Sequence, residues 1–326
     1  MAPSAATKKN KRESTSRVSI GGPAAALKQE EAGIEEQILQ SNPLLEALGN
    51  AKTLRNDNSS RFGKYMNVGF DASFCIQGCA IENYLLEKSR VVRQTPGERN
   101  YHIFYFILCG CSEDVLRQLM LTRNARDYNY LNTSGCTVID GLDDACEYTD
   151  VATAMNTLNF DNNFQMELHK IVASVLHLGN ASFTARIADN IEVADMDDAS
   201  QMAVRKASRL LGVDADALIF CLSQKVSTMG GREKVTIQLN RQAASDTRDT
   251  LSKKLYSALF DLIVSKIDEK LHSMVSDFTI GILDIFGFEV DIRRPIHPPI
   301  HTFIHTCTSI LTPSPLTLPH LLRCLT

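Results

Sequence analysis

Residues 278–285 place the tightest constraint on what this chain can fold into. Their sequence is F-T-I-G-I-L-D-I, a short apolar run rich in isoleucine that carries one acid, Asp284. A continuous apolar run of this length is typical of a strand that is buried on both faces, as in a largely parallel sheet covered by helices. We therefore predict a buried strand here and an α/β fold around it.

Helical and extended patterns alternate through the preceding part of the chain, which suits an α/β fold. Asn42-Pro43 followed by spaced leucines predicts a short helix, with Asn42 as its N-cap, Pro43 at its first position and Gly49 at its end. Residues 65–71 indicate a strand, and residues 79–92 indicate a further strand followed by a helix.

Four later patterns are also distinct. The apolar run at residues 103–108 predicts a buried helix, and apolar residues on one helical face predict another that ends at Gly179-Asn180. A third stripe, at residues 251–263, has lysine and aspartate on its opposite face. Between the helix that ends at Gly179-Asn180 and this third stripe, alternation typical of strands on both sides of Gly230-Gly231 predicts a β-hairpin.

The composition is that of a globular protein, with 44% hydrophobic and 22% charged residues. A chain of 326 residues corresponds to roughly two domains at ~150 residues each. The net charge of -4 gives no reason to expect a nucleic acid or an acidic membrane as a partner. The sequence therefore bounds the class of protein without indicating its chemistry.

Cysteine spacing and apolar run lengths indicate the compartment. The nine cysteines include no C-x-x-C pair, which favours reduced structural thiols over a zinc site. No apolar run approaches the ~20 residues that span a bilayer. The N-terminus has no apolar segment typical of a secretory signal. We therefore expect a cytoplasmic protein without a membrane span.

Both ends of the chain differ from its centre. Residues 1–33 are rich in alanine, serine, lysine and arginine, and we interpret them as a flexible basic arm. Residues 291–326 form a Pro/His/Thr-rich tail, which we interpret as disordered or mistranslated. His297, His301 and His305 are spaced by four, but Pro298 and Pro299 oppose the helix that would align them on a metal.

The polar run N-D-N-S-S-R-F-G-K at residues 56–64 is the first candidate for chemistry. Hydroxyls and amides suit a hydrated Mg²⁺ and phosphate oxygens. Arg61 adds a planar fork of donors for phosphate or carboxylate. A polar loop between a helix and a strand is a common location for function. A polar turn with an incidental Ser-Ser is the alternative.

The run D-I-F-G-F-E at residues 284–289 is the second candidate. An acid at the carboxyl end of a strand, followed closely by glycine, suits a phosphate-hydrolase site. The acid would hold Mg²⁺ through water, and the glycine N–H would meet the terminal phosphate. The alternative is a strand-end aspartate that caps the next turn.

Together, in this order and roughly 220 residues apart, the two runs resemble switch I and switch II of the myosin motor head. Kinesins use Ser-Ser-Arg-Ser-His and Asp-Leu-Ala-Gly instead. The stretches E-E-Q-I-L-Q-S-N-P-L-L-E-A-L-G-N-A-K-T, Y-L-L-E-K-S-R-V-V and G-E-R-N-Y-H-I-F-Y also resemble this family. The resemblance covers residues 34–290. It implies part of a P-loop NTPase-type motor domain, with an incomplete mixed central sheet and many surrounding helices.

The resemblance also implies roles for the polar run, and with them Mg²⁺ and ATP as cofactors. Ser60 would ligate Mg²⁺. Asn56, Asn58 and Ser59 would hold the phosphates, and the same three residues would position the water that attacks the γ-phosphate. Such a site uses prearranged donors rather than covalent chemistry.

The second run would complete the site in the same way. The resemblance implies that Asp284 supports Mg²⁺ through water and that the Gly287 amide meets the γ-phosphate. Arg61 and Glu289 would form the ion pair that closes the site for hydrolysis. A charge pair between two loops makes the closed state depend on both loops.

Two parts of the family pattern are missing from the sequence. No G-x-x-x-x-G-K-[ST] phosphate-binding loop precedes the first run, and residues 21–28 have a leading glycine and a lysine without the required spacing. The resemblance also stops just after Val290. We therefore expect a truncated head that does not hydrolyse ATP at a useful rate.

The resemblance implies the actin filament as partner and a cytoskeletal location. The hairpin at residues 223–239 and the segment at residues 182–197 would touch actin, or they would be plain surface loops. Two other functions stay open. The chain would be a non-enzymatic truncated product or a gene-model artefact that acts at most as a weak interaction module, or it would be a general nucleotide-binding module. The oligomeric state is left open.

Overall fold

The computed structural model describes residues 33–188, 191–229, 233–271 and 276–285. Helices make up about half of these residues. Their bounds are α1 Ile34–Gly49, α2 His102–Gly110, α3 Glu113–Leu119, α4 Asn129–Asn132, α5 Asp144–Thr157, α6 Asn162–Gly179, α7 Asp198–Leu211, α8 Ala215–Ser223 and α9 Arg241–Leu271, with 3-10 turns at Lys88–Val91 and Ala125–Asp127.

The strands form small sheets in which every described pairing is antiparallel. Their bounds are β1 Asn50–Ala51, β2 Ser59–Ser60, β3 Gly63–Phe70, β4 Ile76–Tyr84, β5 Thr184–Ala188, β6 Ile191–Asp195, β7 Gln224–Met229, β8 Glu233–Gln238 and β9 Phe278–Asp284. The largest described sheet has the order β4-β3-β9, and the other strands pair two by two, β1 with β2, β5 with β6 and β7 with β8.

Aspartate side chains cap the N-termini of four consecutive helices. Asp143, Asp161, Asp197 and Asp214 each accept a hydrogen bond from a main-chain N–H in the first turn of the helix that follows. Such caps satisfy N–H groups that have no partner inside the helix, and each contributes about 1 kcal/mol. The helix starts between residues 143 and 215 are therefore set by local sequence.

One large core joins α1, α2, α6 and α9 to the sheet. Helix α2 is almost wholly buried, as its apolar sequence predicts. Tyr256 of α9 is buried, its ring stacks with those of Tyr101 and Phe104, and its hydroxyl donates a hydrogen bond to the Leu48 carbonyl at 2.7 Å. Asp268 of the same helix accepts from the N–H of Ile81 in β4 at 2.8 Å. Helix α9 thereby connects the sheet to the end of α1.

A smaller apolar cluster lies under α7 and α8. It is formed by Leu178, Ala181, Phe183, Val204, Ala207, Leu222 and Ala244. The strand pairs β5–β6 and β7–β8 adjoin this cluster, and the main chain of Ala194 in β6 donates to the Leu239 carbonyl at 2.7 Å.

Helix α1 begins earlier than the sequence predicts. It starts at Ile34, so Asn42 is not its N-cap and Pro43 lies inside it. Proline inside a helix costs about 3 kcal/mol. Here Ile34 and Ile38 pack against the core ahead of it, which offsets that cost. The Asn42 side chain has another use, since its oxygen accepts a hydrogen bond from Lys64 Nζ at 2.6 Å.

Gly49 ends α1 as predicted, for a reason of packing. A Cβ at this position would lie 2.2 Å from Cδ1 of the buried Phe62 ring, which packs edge-on against Phe260. We expect Gly49→Ala to lower the free energy of unfolding by about 1–3 kcal/mol, the usual cost of overpacking. Gly33→Ala is the control, because its Cβ would meet only the flexible end of Glu35, and urea unfolding of both variants measures the difference.

Strand β9 confirms one part of the opening prediction and corrects two others. The strand is present at Phe278–Asp284, but it pairs antiparallel with β3, and all its residues are exposed. Ile280 is 43% and Leu283 60% exposed. A strand that is apolar on both faces is normally covered by packed side chains on both faces. Within the described residues, β3 lines one edge of β9 and no packed layer buries its side chains.

Other predicted elements agree with the structure. Strands β3 and β4, the buried α2, helices α6 and α9 and the hairpin of β7 with β8 all occur where expected, although the hairpin residues 230–232 lie outside the described part. The arm up to residue 32 and the tail, with its three spaced histidines, also lie outside it. No helix in the described part is both long and apolar enough to cross a membrane.

Candidate functional site

The polar run forms a loop that returns to the end of α1. Residues Asn50 and Ala51 pair with Ser60 and Ser59 in the two-stranded sheet of β1 and β2. Asn56 organises the loop, because its side-chain oxygen accepts from the Asn58 N–H at 2.9 Å. The short range of these contacts explains why a polar sequence alone could predict a loop at this place.

The Asn58 side chain is directed towards helices α1 and α2. Its oxygen accepts from Asn50 Nδ2 at 3.1 Å and lies 3.2 Å from His102 Nε2, and its amide nitrogen lies 3.4 Å from Glu46 Oε2. An amide oxygen can only accept, so His102 Nε2 carries the proton. A contact of this side chain with phosphate would require it to exchange these partners.

The two serines present hydroxyls with different environments. Ser59 is buried, and its oxygen accepts from Arg61 Nη1 at 3.2 Å. Ser60 is half-buried and donates its proton to the Phe62 carbonyl at 2.9 Å. Because that bond uses only the proton, the lone pairs of the Ser60 oxygen remain suited to a cation. The donor set of Ser60 therefore fits a hard divalent ion.

Arg61 contacts an acid that the sequence did not single out. Its Nε donates to Glu87 Oε2 at 2.5 Å, and Arg90 Nε donates to the same oxygen at 3.0 Å. Burial alone would lower the pKa of Arg90, but the carboxylates of Glu87 and Glu98 raise it. Glu87 is the one acid in the stretch Y-L-L-E-K-S-R-V-V, which is the signal that could have identified it.

Asp284 lies beside the end of the polar run. In the β3–β9 register Asp284 is opposite Lys64, and the carboxylate is 3.7 Å from Lys64 Nζ. Gly63 adjoins this contact, and a Cβ there would lie 3.1 Å from the exposed Ile285 side chain. The Asp284 side chain is 58% exposed, so it is open to a hydrated ion.

The structure therefore brings the end of the first run and the start of the second together. It does so through strand pairing, since Lys64 follows Ser60 by four residues and faces Asp284. Gly287 and Glu289 lie outside the described residues. Their predicted contacts with the γ-phosphate and with Arg61 stay predictions.

Comparison with known proteins identifies similar sequences along most of the chain. The family model described as "Myosin head (motor domain)" matches residues 5–292, a range that begins further towards the N-terminus than the resemblance at residues 34–290. Unconventional myosin-Ic of Aquarana catesbeiana is 45% identical over 264 residues, which cover 79% of this chain and 25% of that protein.

Two further relatives have similar identity. Myosin-VIIa of Drosophila melanogaster is 43% identical over 267 residues, and unconventional myosin-VIIb of Mus musculus is 42% identical over 271 residues. Each alignment covers 81% of this chain, but only 12% and 13% of the respective relative. The chain thus spans a quarter or less of the length of these relatives.

Proposed function

This chain belongs to the myosin head (motor domain) family, and from that premise we propose that it carries two phosphate-sensing elements of an actin-based Mg-ATP motor. The elements are the loop at residues 56–64 and the run that begins at Asp284. The observation that carries the proposal is their meeting through the β3–β9 pairing, with Asp284 opposite Lys64. Two loops that meet at one point can respond jointly to a terminal phosphate.

Ser60 and Asp284 are proposed to hold Mg²⁺. The hydroxyl oxygen of Ser60 keeps lone pairs for the ion, and Asp284 would act through water from its exposed position. Bound Mg²⁺ would neutralise charge on the phosphates. Lys64 would share the Asp284 carboxylate with the hydrated ion, and its own bond to Asn42 keeps the ammonium in place.

Asn56, Asn58 and Ser59 are proposed to contact phosphates and to position the attacking water. Ser59 already receives a hydrogen bond from Arg61, so the guanidinium and hydroxyl are arranged as one unit. Arg61 is further proposed to pair with Glu289 when the site closes. In this proposal Glu87 orients the Arg61 side chain, since Arg61 Nε donates to Glu87 Oε2 at 2.5 Å.

We propose that the 326 residues by themselves bind Mg-ATP weakly and do not turn it over at a useful rate. The sequence contains no G-x-x-x-x-G-K-[ST], whose main-chain N–H groups and lysine cradle phosphates. Catalysis of this kind needs donors from several loops at once. A general nucleotide-binding role for the isolated chain is disfavoured for the same reason.

The exposed strand pairs are proposed to contact the actin filament, which implies a cytoskeletal location. The strands β5 and β6 expose Ile187 and Ile191, and β7 and β8 expose Val226 and Ile237. Apolar side chains that are exposed together on a surface are typical of a protein interface. Co-sedimentation with actin filaments tests this proposal after the four residues are changed to serine. If the strand pairs are plain surface elements, these substitutions will leave actin binding unchanged.

The alternative is a non-enzymatic product that acts at most as a weak interaction module. The exposed apolar side chains of β9 favour it, because an uncovered apolar strand promotes association with other chains. Poor solubility of the purified chain, together with no response to nucleotide, would support this alternative.

A chimera tests the motor proposal. Residues 34–290 of this chain would replace the matching segment in the head of unconventional myosin-Ic. We expect actin-activated Mg-ATPase activity from the chimera, and a loss of about 10²–10³-fold on Arg61→Ala, the typical effect of removing one prearranged donor. Lys170→Gln on the exposed face of α6 is the control. A folded chimera that binds actin without hydrolysing ATP would contradict the proposal.

A further inference from the structure

Strand β9 presents a free edge among the described residues. It is the last strand in the order β4-β3-β9, and its register with β3 runs from Phe278 to Asp284 without a shift. In an antiparallel pair, alternate main-chain N–H and C=O groups of each strand point away from the partner. No second described strand pairs with these groups on β9. This edge is therefore suited to the addition of a strand.

The side chains of β9 are those of an inner strand. Phe278, Ile280 and Ile282 alternate on one face, where their partners on β3 pack against the large core, yet all three are exposed. Leu283 is exposed on the other face. Edge strands usually carry lysine, proline or a bulge that blocks further pairing. Residues 278–283 contain no lysine or proline, and their described pairing contains no bulge.

Further along the chain, a segment outside the described residues has the sequence pattern of a strand. Residues 300–312 are I-H-T-F-I-H-T-C-T-S-I-L-T. Every second residue from Ile300 to Thr312 is isoleucine or threonine, and such β-branched residues favour strands. The segment contains no Asp, Glu, Lys, Arg or Pro, and Pro299 and Pro313 bound it. Its sequence therefore predicts an uncharged strand.

The connection between β9 and this segment suits antiparallel pairing. Residues 286–299 join the two, whereas a connection of as few as two residues can join antiparallel strands. An uncharged segment also matches an edge whose exposed side chains are apolar. Because the segment belongs to the same chain, its effective concentration at the edge is on the order of millimolar. That concentration favours it over a second copy of the chain at micromolar concentration.

The basic arm at residues 1–32 suits this edge less well. Its charged groups include Lys8, Lys9 and Lys11, and packing them against exposed isoleucines would remove charge from water. Its longest uncharged stretch, residues 18–27, contains two glycines and a proline, which weaken a strand. The segment at residues 300–312 has neither feature.

We propose that residues 300–312 add a strand to this sheet, antiparallel to β9 and along its free edge. Their main chain would bond to the N–H and C=O groups of β9 that face away from β3, as in other cases of strand addition. One alternate set of their side chains would cover Ile280 and Ile282. The proposal goes beyond the motor function, since it involves neither nucleotide nor actin. For residues 300–312 it replaces the interpretation of the tail as disordered or mistranslated.

Hydrogen exchange of the β9 amides, followed by NMR in the full 326-residue chain, tests this pairing. Thr306→Pro/Cys307→Pro removes two neighbouring donors, one of which faces β9 whichever edge of the segment pairs. We expect the β9 amides that face away from β3 to exchange at least about fivefold faster in this variant, the effect of losing one main-chain hydrogen bond. Leu321→Pro/Leu322→Pro, in the same tail but beyond the segment, is the matched control and should leave the exchange unchanged.

Cross-strand nuclear Overhauser effects between residues 278–284 and 300–312 test the pairing in the unmodified chain, independently of how any variant folds. Exchange measured at several protein concentrations separates the segment from a second copy. Pairing within one chain gives protection that is independent of concentration, whereas pairing between chains gives protection that rises with it. Absence of the cross-strand effects, protection that rises with concentration, or equal protection in Thr306→Pro/Cys307→Pro and the parent chain would each overturn the proposal.

Discussion

Lowering the pH from 7 to 5 is expected to reduce the free energy of unfolding by about 4–6 kcal/mol. His102, His169 and His177 are buried, and burial lowers their pKa values to about 3, 4 and 4. An unfolded histidine titrates near 6.5, so the unfolded state binds more protons below that pH. Stability is fully present above pH 6.5 and is lost as the pH falls towards 4.

The size of the effect follows from the pKa differences. At pH 5 each such histidine contributes about 2 kcal/mol to the loss. The acids Asp144 and Glu147, whose pKa values are raised, act in the opposite sense and offset part of it. Since domains are stable by about 5–15 kcal/mol, the chain should be close to unfolding at pH 5.

Urea unfolding at both pH values measures this loss. His169→Gln should reduce the pH-dependent loss by about 2 kcal/mol, because one buried neutral ring is gone. Tyr148→Phe is the matched control, since it removes the 3.2 Å contact with His169 but leaves the imidazole buried. A loss that is the same in His169→Gln and in the parent chain would contradict the assignment.

Asp144→Ala is expected to cost about 3–5 kcal/mol, because it leaves a buried charge without its partner. Arg99 has no exposed side-chain area, and its Nη2 donates to both Asp144 oxygens, at 2.9 and 3.1 Å. The guanidinium also lies 3.6 Å over the Tyr105 ring, a contact that does not replace the carboxylate. The change should also affect the chain just before the polar loop at residues 56–64, because the Arg99 main-chain N–H donates to the Lys52 carbonyl.

Asp114→Ala is the matched control for this prediction. Its carboxylate pairs with Arg117 at 2.8 Å, a similar distance, but both side chains are more than three-quarters exposed. Exposed pairs contribute about 0–1 kcal/mol. Denaturant unfolding of the two variants therefore compares the same chemistry in buried and exposed settings. Equal costs would show that the burial of Arg99 is not what makes its ion pair important.

Local patterns predicted most helices and strands because short-range rules decide them. The stop at Gly179 and the apolar stripes of α6 and α9 are examples. The predictions for the start of α1 and for the pairing and burial of β9 were wrong, because contacts beyond the local sequence decide them. Core packing of Ile34 and Ile38 extends α1 through Pro43, and β9 pairs antiparallel with β3 although its sequence suits a buried parallel strand.

The candidate site divides in the same way. The resemblance to myosin motifs indicated Asn56, Asn58, Ser59, Ser60, Arg61 and Asp284 among the described residues. It did not indicate Glu87 or His102, which contact the loop from positions 26 and 44 residues away along the chain. Such partners are set by the fold. Neither the polarity of a loop nor the spacing of a motif carries that information.

Calorimetric titration of the purified chain with Mg-ATP tests most directly the claim that it has two phosphate-sensing elements but no complete site. We predict a dissociation constant in the millimolar range or weaker, which corresponds to a binding free energy on the order of −4 kcal/mol. We also predict no useful turnover of ATP. Arg61→Ala is the companion variant. Micromolar binding that disappears in this variant would contradict the claim, because the two elements would then assemble a tight site by themselves.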